Sequence, residues 1–221
     1  MNGNSVETAP ATVVVSVDNL RYYMRALLVA AGCNEHNAAC AAEGFLYADL
    51  SGVGLQGLDH MPTLLDALLD GRVAGNGSPQ VLQERTGTAL VDGANAPGHV
   101  GADFAVDVLI RKAREAGSCT VALTNSFDLF MLGRCTERIA AAGLIGIAFS
   151  DAPPMVRPHG GKEARMGTNP FSIAVPTAGD PVVVDLATSA LSASRVRQAM
   201  YHGHQVPEAS GVDADGNPTT D

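Results

Sequence analysis

Residues 52 to 62 read GVGLQGLDHMP, and glycines at 52, 54 and 57 with a proline at 62 give the stretch the outline of an active-site loop. An acidic helix end stands just before it. At its centre are Leu55 and Gln56, and neither side chain moves a proton at neutral pH. The loop has the frame of a reactive site without an acid, base or nucleophile in its middle. Metal and thiol chemistry have no better footing elsewhere. Cys33, Cys40, Cys119 and Cys135 form no CxxC pair and read as free thiols, and His202 and His204, two apart, lack zinc spacing. No metal site is expected.

The elements that must hold this loop follow from periodicity. Leu20, Tyr23, Met24, Leu27, Leu28 and Ala31 recur at three and four residues before Gly32, which predicts an amphipathic helix over 18–31. Asn34 can cap a second helix through about Leu50, and Pro62 opens a third that runs through leucines 64, 65, 68 and 69 to Gly71. The loop therefore joins two helices. PQVLQER and TALVDG then predict a hairpin around Thr86 and Gly87, and a long helix runs from near His99 to Gly117. CTVALT and LIGIAFS read as fully apolar strands flanking a helix over 131–142. FSIAVP and PVVVD are two more strands, with a helix over 191–201 after them. A helical N-terminal unit is thus followed by an α/β unit. The segment from Asp151 to Pro170 is longer than ordinary connections and is expected to be functional.

Composition narrows the function. Of 221 residues 46% are hydrophobic and only 17% charged, which predicts a compact protein with a substantial core. Twenty-three acidic against 14 basic residues give a net charge of -9 without a basic cluster, so nucleic acid is excluded as an expected partner. Met1 to Thr12 lacks a basic start and an apolar segment, and no run is long enough to span a membrane, so a cytoplasmic location is expected. No GxGxxG follows a strand, and nothing predicts a standard Rossmann fold.

Five blocks carry a resemblance: ADLSGVGLQGLDHMP, LVDGANAPGHVGADFAVDVLIRKAREAG, NSFDLFMLG, GLIGIAFSDAPPMVRPHGGKEARMGTNPFSIAVP and VVVDLATS. In order and spacing, from about Val17 to Asp221, they resemble the malate/L-lactate dehydrogenase family of the second type, with its ureidoglycolate and sulfolactate dehydrogenases and cyclic imino acid reductases. The resemblance implies a homodimeric oxidoreductase that uses NAD or NADP without a standard Rossmann fold, in which a helical N-terminal region packs against a largely antiparallel cofactor sheet. It divides the chain into a flexible tail at 1–16, a substrate-side unit at 17–98 and a cofactor-type α/β unit at 99–221. Members continue beyond the point where this chain stops at DADGNPTTD, so a fragment or a natural short form is expected.

Residue by residue, the reacting groups of that family are replaced. Its loop has serine, histidine, glycine and, three residues later, arginine; those positions are Leu55, Gln56, Gly57 and His60 here. Its second histidine falls at Asp128, after Asn125, Ser126 and Phe127, and Phe130 stands where a small residue is usual. The cofactor side is better kept. Thr168 in GTNP matches a substrate-contacting threonine, Asp185, Leu186 and Ala187 match a cofactor-lining segment, and Ser150 is a further cofactor candidate. Leu55 is carried over as substrate-binding. His99 and His159 are taken as structural.

Reduction of a 2-oxo or 2-imino acid needs a hydride donor, a proton donor and a cation for the substrate carboxylate. Glutamine donates a hydrogen bond but no proton, and losing a general acid lowers rates by roughly 10² to 10⁴. Ordinary malate or lactate turnover is therefore not expected. One arrangement would restore the chemistry: with Asp128 beside it, His60 would have a raised pKa and act as a relocated acid or carboxylate-binding cation. Otherwise His60 simply begins the helix and Asp128 is a cap. Three functions stay open: a divergent nicotinamide-dependent oxidoreductase, a scaffold reused for non-redox proton transfer by His60 and Asp128, and a degenerate homologue whose pocket is plugged by Leu55 and Phe130.

Overall fold

The computed structural model describes residues 13–220 apart from 209 and 214. Of the expected tail, residues 1–12 lie outside the described residues, and 13–16 lead into helix α1 without regular structure.

The N-terminal unit is helical, as periodicity predicts. Helix α1 (Val17–Ala30) is capped by Ser16, whose Oγ accepts from the Asn19 amide at 3.2 Å, and Asn34 caps α2 (Glu35–Leu50) through the Asn37 amide at 2.8 Å. Helix α3 (Met61–Leu69) carries Pro62 in its first turn. Met24, Leu28, Phe45, Leu46, Met61 and Leu64 lock the three together at 2% exposure or less. Alanines 38, 41, 42 and 48, all fully buried, let neighbours approach α2 closely.

Strands β1 (Gln80–Arg85) and β2 (Thr88–Asp92) form the expected hairpin. Helix α4 (Gly98–Ala116), closed by Gly117 at φ 83°, then carries the chain back to β3 (Thr120–Thr124), which pairs with β2 in parallel. This sheet spans the boundary at 98/99.

Helix α5 (Gly133–Ala141) precedes an antiparallel sheet of β4 (Gly146–Phe149), β5 (Phe171–Val175) and β6 (Val182–Leu186). Its inner face carries Gly146, Ala148, Ser172 and Ala174, small enough to seat α5, and Ser172 Oγ meets Thr136 Oγ1 at 2.7 Å. The apolar segments expected to be strands do form strands, each with one face open. Both β3 and β4 alternate in burial, and Ile147, Phe149, Val175, Val182, Val184 and Leu186 lie exposed on the outer face of the second sheet. An apolar run read without its partners does not distinguish a core strand from one with an open greasy face. Helix α6 (Ala193–His202), capped by Ser192, and the ribbon of β7 (Gly211–Val212) and β8 (Pro218–Thr219) complete the described chain. The described residues form an α/β fold with small, largely antiparallel sheets and, among them, no standard Rossmann sheet. Among the described residues, no helix is long and apolar enough to cross a membrane.

Candidate active site

The glycine loop folds into two short 3-10 turns, Gly54–Gln56 and Leu58–His60. Asp49, at the end of α2, accepts the Leu58 amide at 3.0 Å. A Cβ on Gly57 would meet that carboxylate and force it to shift, so glycine lets the loop close onto its helix with the Asp49 bond in place. The acidic helix end before the loop is thus its anchor, and it delivers His60 inward to 6% exposure.

There His60 is held at both ring nitrogens. Arg197 of α6 reaches its Nε2 at 2.9 Å, and its Nδ1 lies 3.1 Å from Gln56 Oε1. Gln56 in turn donates from Nε2 to Ser194 Oγ at 3.0 Å. A guanidinium only donates, so Nε2 must accept; the proton then sits on Nδ1 and is donated to the Gln56 oxygen. The chain of bonds has one direction, and it ties residues 56 and 60 to a helix more than 130 positions away. Burial first, and the Arg197 charge second, push the His60 imidazole below its ordinary value; Asp128 pulls the other way and does not prevail. The expectation of a raised His60 pKa is therefore overturned, because sequence gave no sign that a permanent cation would stand on its outer nitrogen.

Asp128 lies near enough for its charge to act on His60, yet its Oδ1 accepts the Phe130 amide at 2.8 Å in a local turn. Gly98 fixes this segment, since a Cβ there would strike the Asp128 carbonyl. Phe130 then adopts φ 59°, a conformation natural to glycine and strained for an aromatic residue. Its ring stacks on His99 (centroids 4.8 Å, 13°) and meets Phe45 and His60 edge-on at 4.8 and 5.0 Å. His99 is 3% exposed, packed on Gly44, and neither ring nitrogen has a hydrogen-bond partner among the described residues. Burial pushes it down to about 3, so it is a neutral core residue.

On the opposite wall the GTNP turn and the DLATS segment are stitched together. Thr188 donates from its amide and its Oγ1 to the Thr168 carbonyl at 3.0 and 3.1 Å. Asp185 Oδ2 accepts the Gly133 amide at 2.6 Å, so this carboxylate caps the start of α5; burial raises its pKa, against the two amide bonds that lower it. Ser150 Oγ donates to the Asp151 carbonyl. A single groove of about 2090 Å³ is lined by both walls: Gln56, His60 and Asp128 on one, Ser150, Thr168 and Asp185 to Ala187 on the other. Leu55 is half-buried and is not among the lining residues. The long 151–170 segment, irregular except for one bridge between Val156 and Met166, borders the same groove.

Arg197 and Ser194 are the site residues that sequence reasoning missed. In a helix spelled ASRVRQAMYH an arginine reads as a solvated face, and the spacing carries no signal of its meeting His60.

A helical unit, a mixed sheet and a small antiparallel sheet border one groove and form the scaffold. It superposes on malate dehydrogenase from Entamoeba histolytica with a TM-score of 0.91 at 29% identity, over 96% of this chain and 59% of that one. On Δ1-piperideine-2-carboxylate reductase from Pseudomonas syringae pvar. tomato the TM-score is 0.89 at 33% identity, over 95% and 63%. The pattern of the malate/L-lactate dehydrogenase family matches residues 15–221, and the chain belongs to that family. It is 36% identical over 218 residues to the Δ1-pyrroline-2-carboxylate/Δ1-piperideine-2-carboxylate reductase of Pseudomonas putida, covering 97% of this chain and 64% of the reductase. It is 32% identical to the L-sulfolactate dehydrogenase of Methanothermobacter thermautotrophicus, over 90% of this chain and 58% of that one. The chain thus spans less than two thirds of the length of these relatives.

Proposed function

We propose that the chain is a divergent NAD(P)-dependent oxidoreductase acting on a 2-oxo acid or an imine-like small molecule, and not an ordinary malate or lactate dehydrogenase. The observation that carries this is the single groove that joins Gln56, His60 and Asp128 to Ser150, Thr168 and the 185–187 segment. Its lining suits a dinucleotide: the Thr168 hydroxyl is a donor, the hydroxyl oxygens of Ser150, Thr188 and Ser189, whose protons go to backbone carbonyls, are acceptors, and Arg157 and Lys162 are cations for phosphates. When bound, NAD or NADP supplies the hydride. Gln56 offers its second N–H to the developing oxyanion or nitrogen, Asp128 is the group placed to relay a proton, and neutral His60 holds its neighbours in position. Without a strong acid at the centre, turnover is slow by roughly 10² to 10⁴ relative to a complete site.

We propose a substrate-side unit at 17–98 and a cofactor-side unit at 99–221, with Asp128, Ser194 and Arg197 of the second contributed to the substrate end of the groove. The exposed apolar face of β4, β5 and β6 supports a homodimer in which a second copy covers it.

One observation favours a second reading, a catalytically degenerate homologue: the strained, 8% exposed Phe130 occupies the inner end of the site. Non-redox chemistry run by His60 has less support, because both of its nitrogens are engaged. Following nicotinamide absorbance with NADH or NADPH against 2-oxo and cyclic 2-imino acids tests the proposal. Steady oxidation with at least one substrate supports it; a folded chain inert with all of them removes it.

A further inference from the structure

We propose that Arg197 is the cation that takes the carboxylate of the 2-oxo or cyclic 2-imino acid, with His60 as the residue that positions it. This rests on the oxidoreductase reading and names the chemistry of its substrate.

Arg197, an exposed residue, lines the groove together with Gln56 and His60. Among the described residues no carboxylate lies within ion-pair distance of it, whereas Arg134 and Arg138 are neutralised by Asp103 and Asp107. Its one side-chain bond runs to His60 Nε2, a neutral acceptor that orients the guanidinium without cancelling its charge. A guanidinium has five N–H donors in a planar fork, and His60 uses only one edge. The remainder is free for a carboxylate, whose two oxygens match the fork.

The fixing is built from several elements. His60 sits on the Asp49-anchored turn, Gln56 holds its other nitrogen, and Ser194, one turn before Arg197 on α6, holds Gln56. Arg195 borders the same groove but makes no side-chain bond among the described residues, so it lacks this preorganisation. An anion with a planar carboxylate beside a small 2-oxo or 2-imino centre fits a cation held next to Gln56, which hydrogen-bonds but does not ionise.

The test is calorimetric titration of the whole chain with oxamate and with oxamide, a neutral counterpart of nearly the same shape, each with and without NADPH. Arg197→Met is expected to weaken oxamate about 10- to 100-fold and leave oxamide unchanged, the range for a charged hydrogen-bonded contact. Arg197→Lys falls between, and Arg195→Met, which removes an equal charge from the same helix, stays within about twofold of the parent. His60→Leu lowers the oxamate-to-oxamide preference and His60→Gln, which keeps an acceptor, restores it in part; a merely damaged fold would weaken both probes alike. Equal losses in Arg195→Met and Arg197→Met, an unchanged Arg197→Met, or a parent chain with no preference for oxamate would overturn the proposal. Titration of the parent with NADH and with NADPH reads the oxidoreductase assignment separately: oxamate held through Arg197 without binding of either dinucleotide keeps the anion site and removes the redox reading, and the reverse result does the opposite.

Discussion

His60 and Asp128 are the two residues whose types promised chemistry, and their environments separate them. A guanidinium on Nε2 and an amide oxygen on Nδ1 leave His60 a neutral donor–acceptor in one tautomer. Histidine-selective ¹⁵N spectra, assigned with His60→Gln, should show the proton on Nδ1 and no titration of His60 above pH 6.5; a midpoint above that value would contradict the bonding described. His99 is neutral for a simpler reason, burial against Phe45 and Phe130. Both histidines have folded pKa values below the unfolded value of about 6.5, so the unfolded chain takes up the protons first and acid favours it. Stability is expected to be full above pH 6.5 and to fall as pH drops from there towards the His99 value of about 3, by up to about 1.4 kcal/mol per pH unit for His99, with His60 acting in the same direction. Urea midpoints across that range check it, and His99→Leu should flatten the slope. The residue identities of this cluster were legible, and their roles were not: Phe130 was recognisable as out of place by size, while its φ of 59° and its stacking on His99 belong to three segments that meet only in the fold.

At the scale of elements, one half-buried charge cluster holds three helices. Asp103 of α4 receives Arg134 and Arg138 of α5 and the Cys40 thiol of α2, the last at 3.0 Å. Burial works to raise the Asp103 pKa, and the bonds and charge of Arg134 together outweigh it and hold it below the ordinary value. Asp103→Asn would leave Arg134 under-compensated, and a loss of roughly 3 kcal/mol in chemical unfolding is expected; a change under about 1 kcal/mol would show that the cluster is incidental. The elements themselves were largely legible. Caps at Asn34 and Gly117, the leucine repeat after Pro62 and the hairpin at Thr86 and Gly87 all encode locally, and the structure places them within a residue or two of expectation. What sequence could not encode locally was pairing. The parallel alignment of β2 with β3 and the alignment of α6 against the glycine loop are long-range contacts without a spacing signature.

For the whole molecule, the outer face of the β4–β5–β6 sheet is the least settled surface, with Phe149 73% and Val182 61% exposed. If a second copy covers it, Phe149→Lys should convert the dimer to monomer in sedimentation at micromolar concentration, with the helical unit still folded. A parent chain that sediments as a monomer would remove the dimer. The family was legible from the order of five blocks across the chain, because such blocks record turns and close approaches that many side chains cannot share. The reaction was not, because the side chains that meet around His60 come from segments more than 130 positions apart, and no spacing records that meeting. The most direct test is to titrate the purified chain with NADH and with NADPH, following nicotinamide fluorescence. Saturable binding of one of them, displaced by the oxidised form, is the predicted result; a folded chain that binds neither would contradict a nicotinamide-dependent oxidoreductase in this groove.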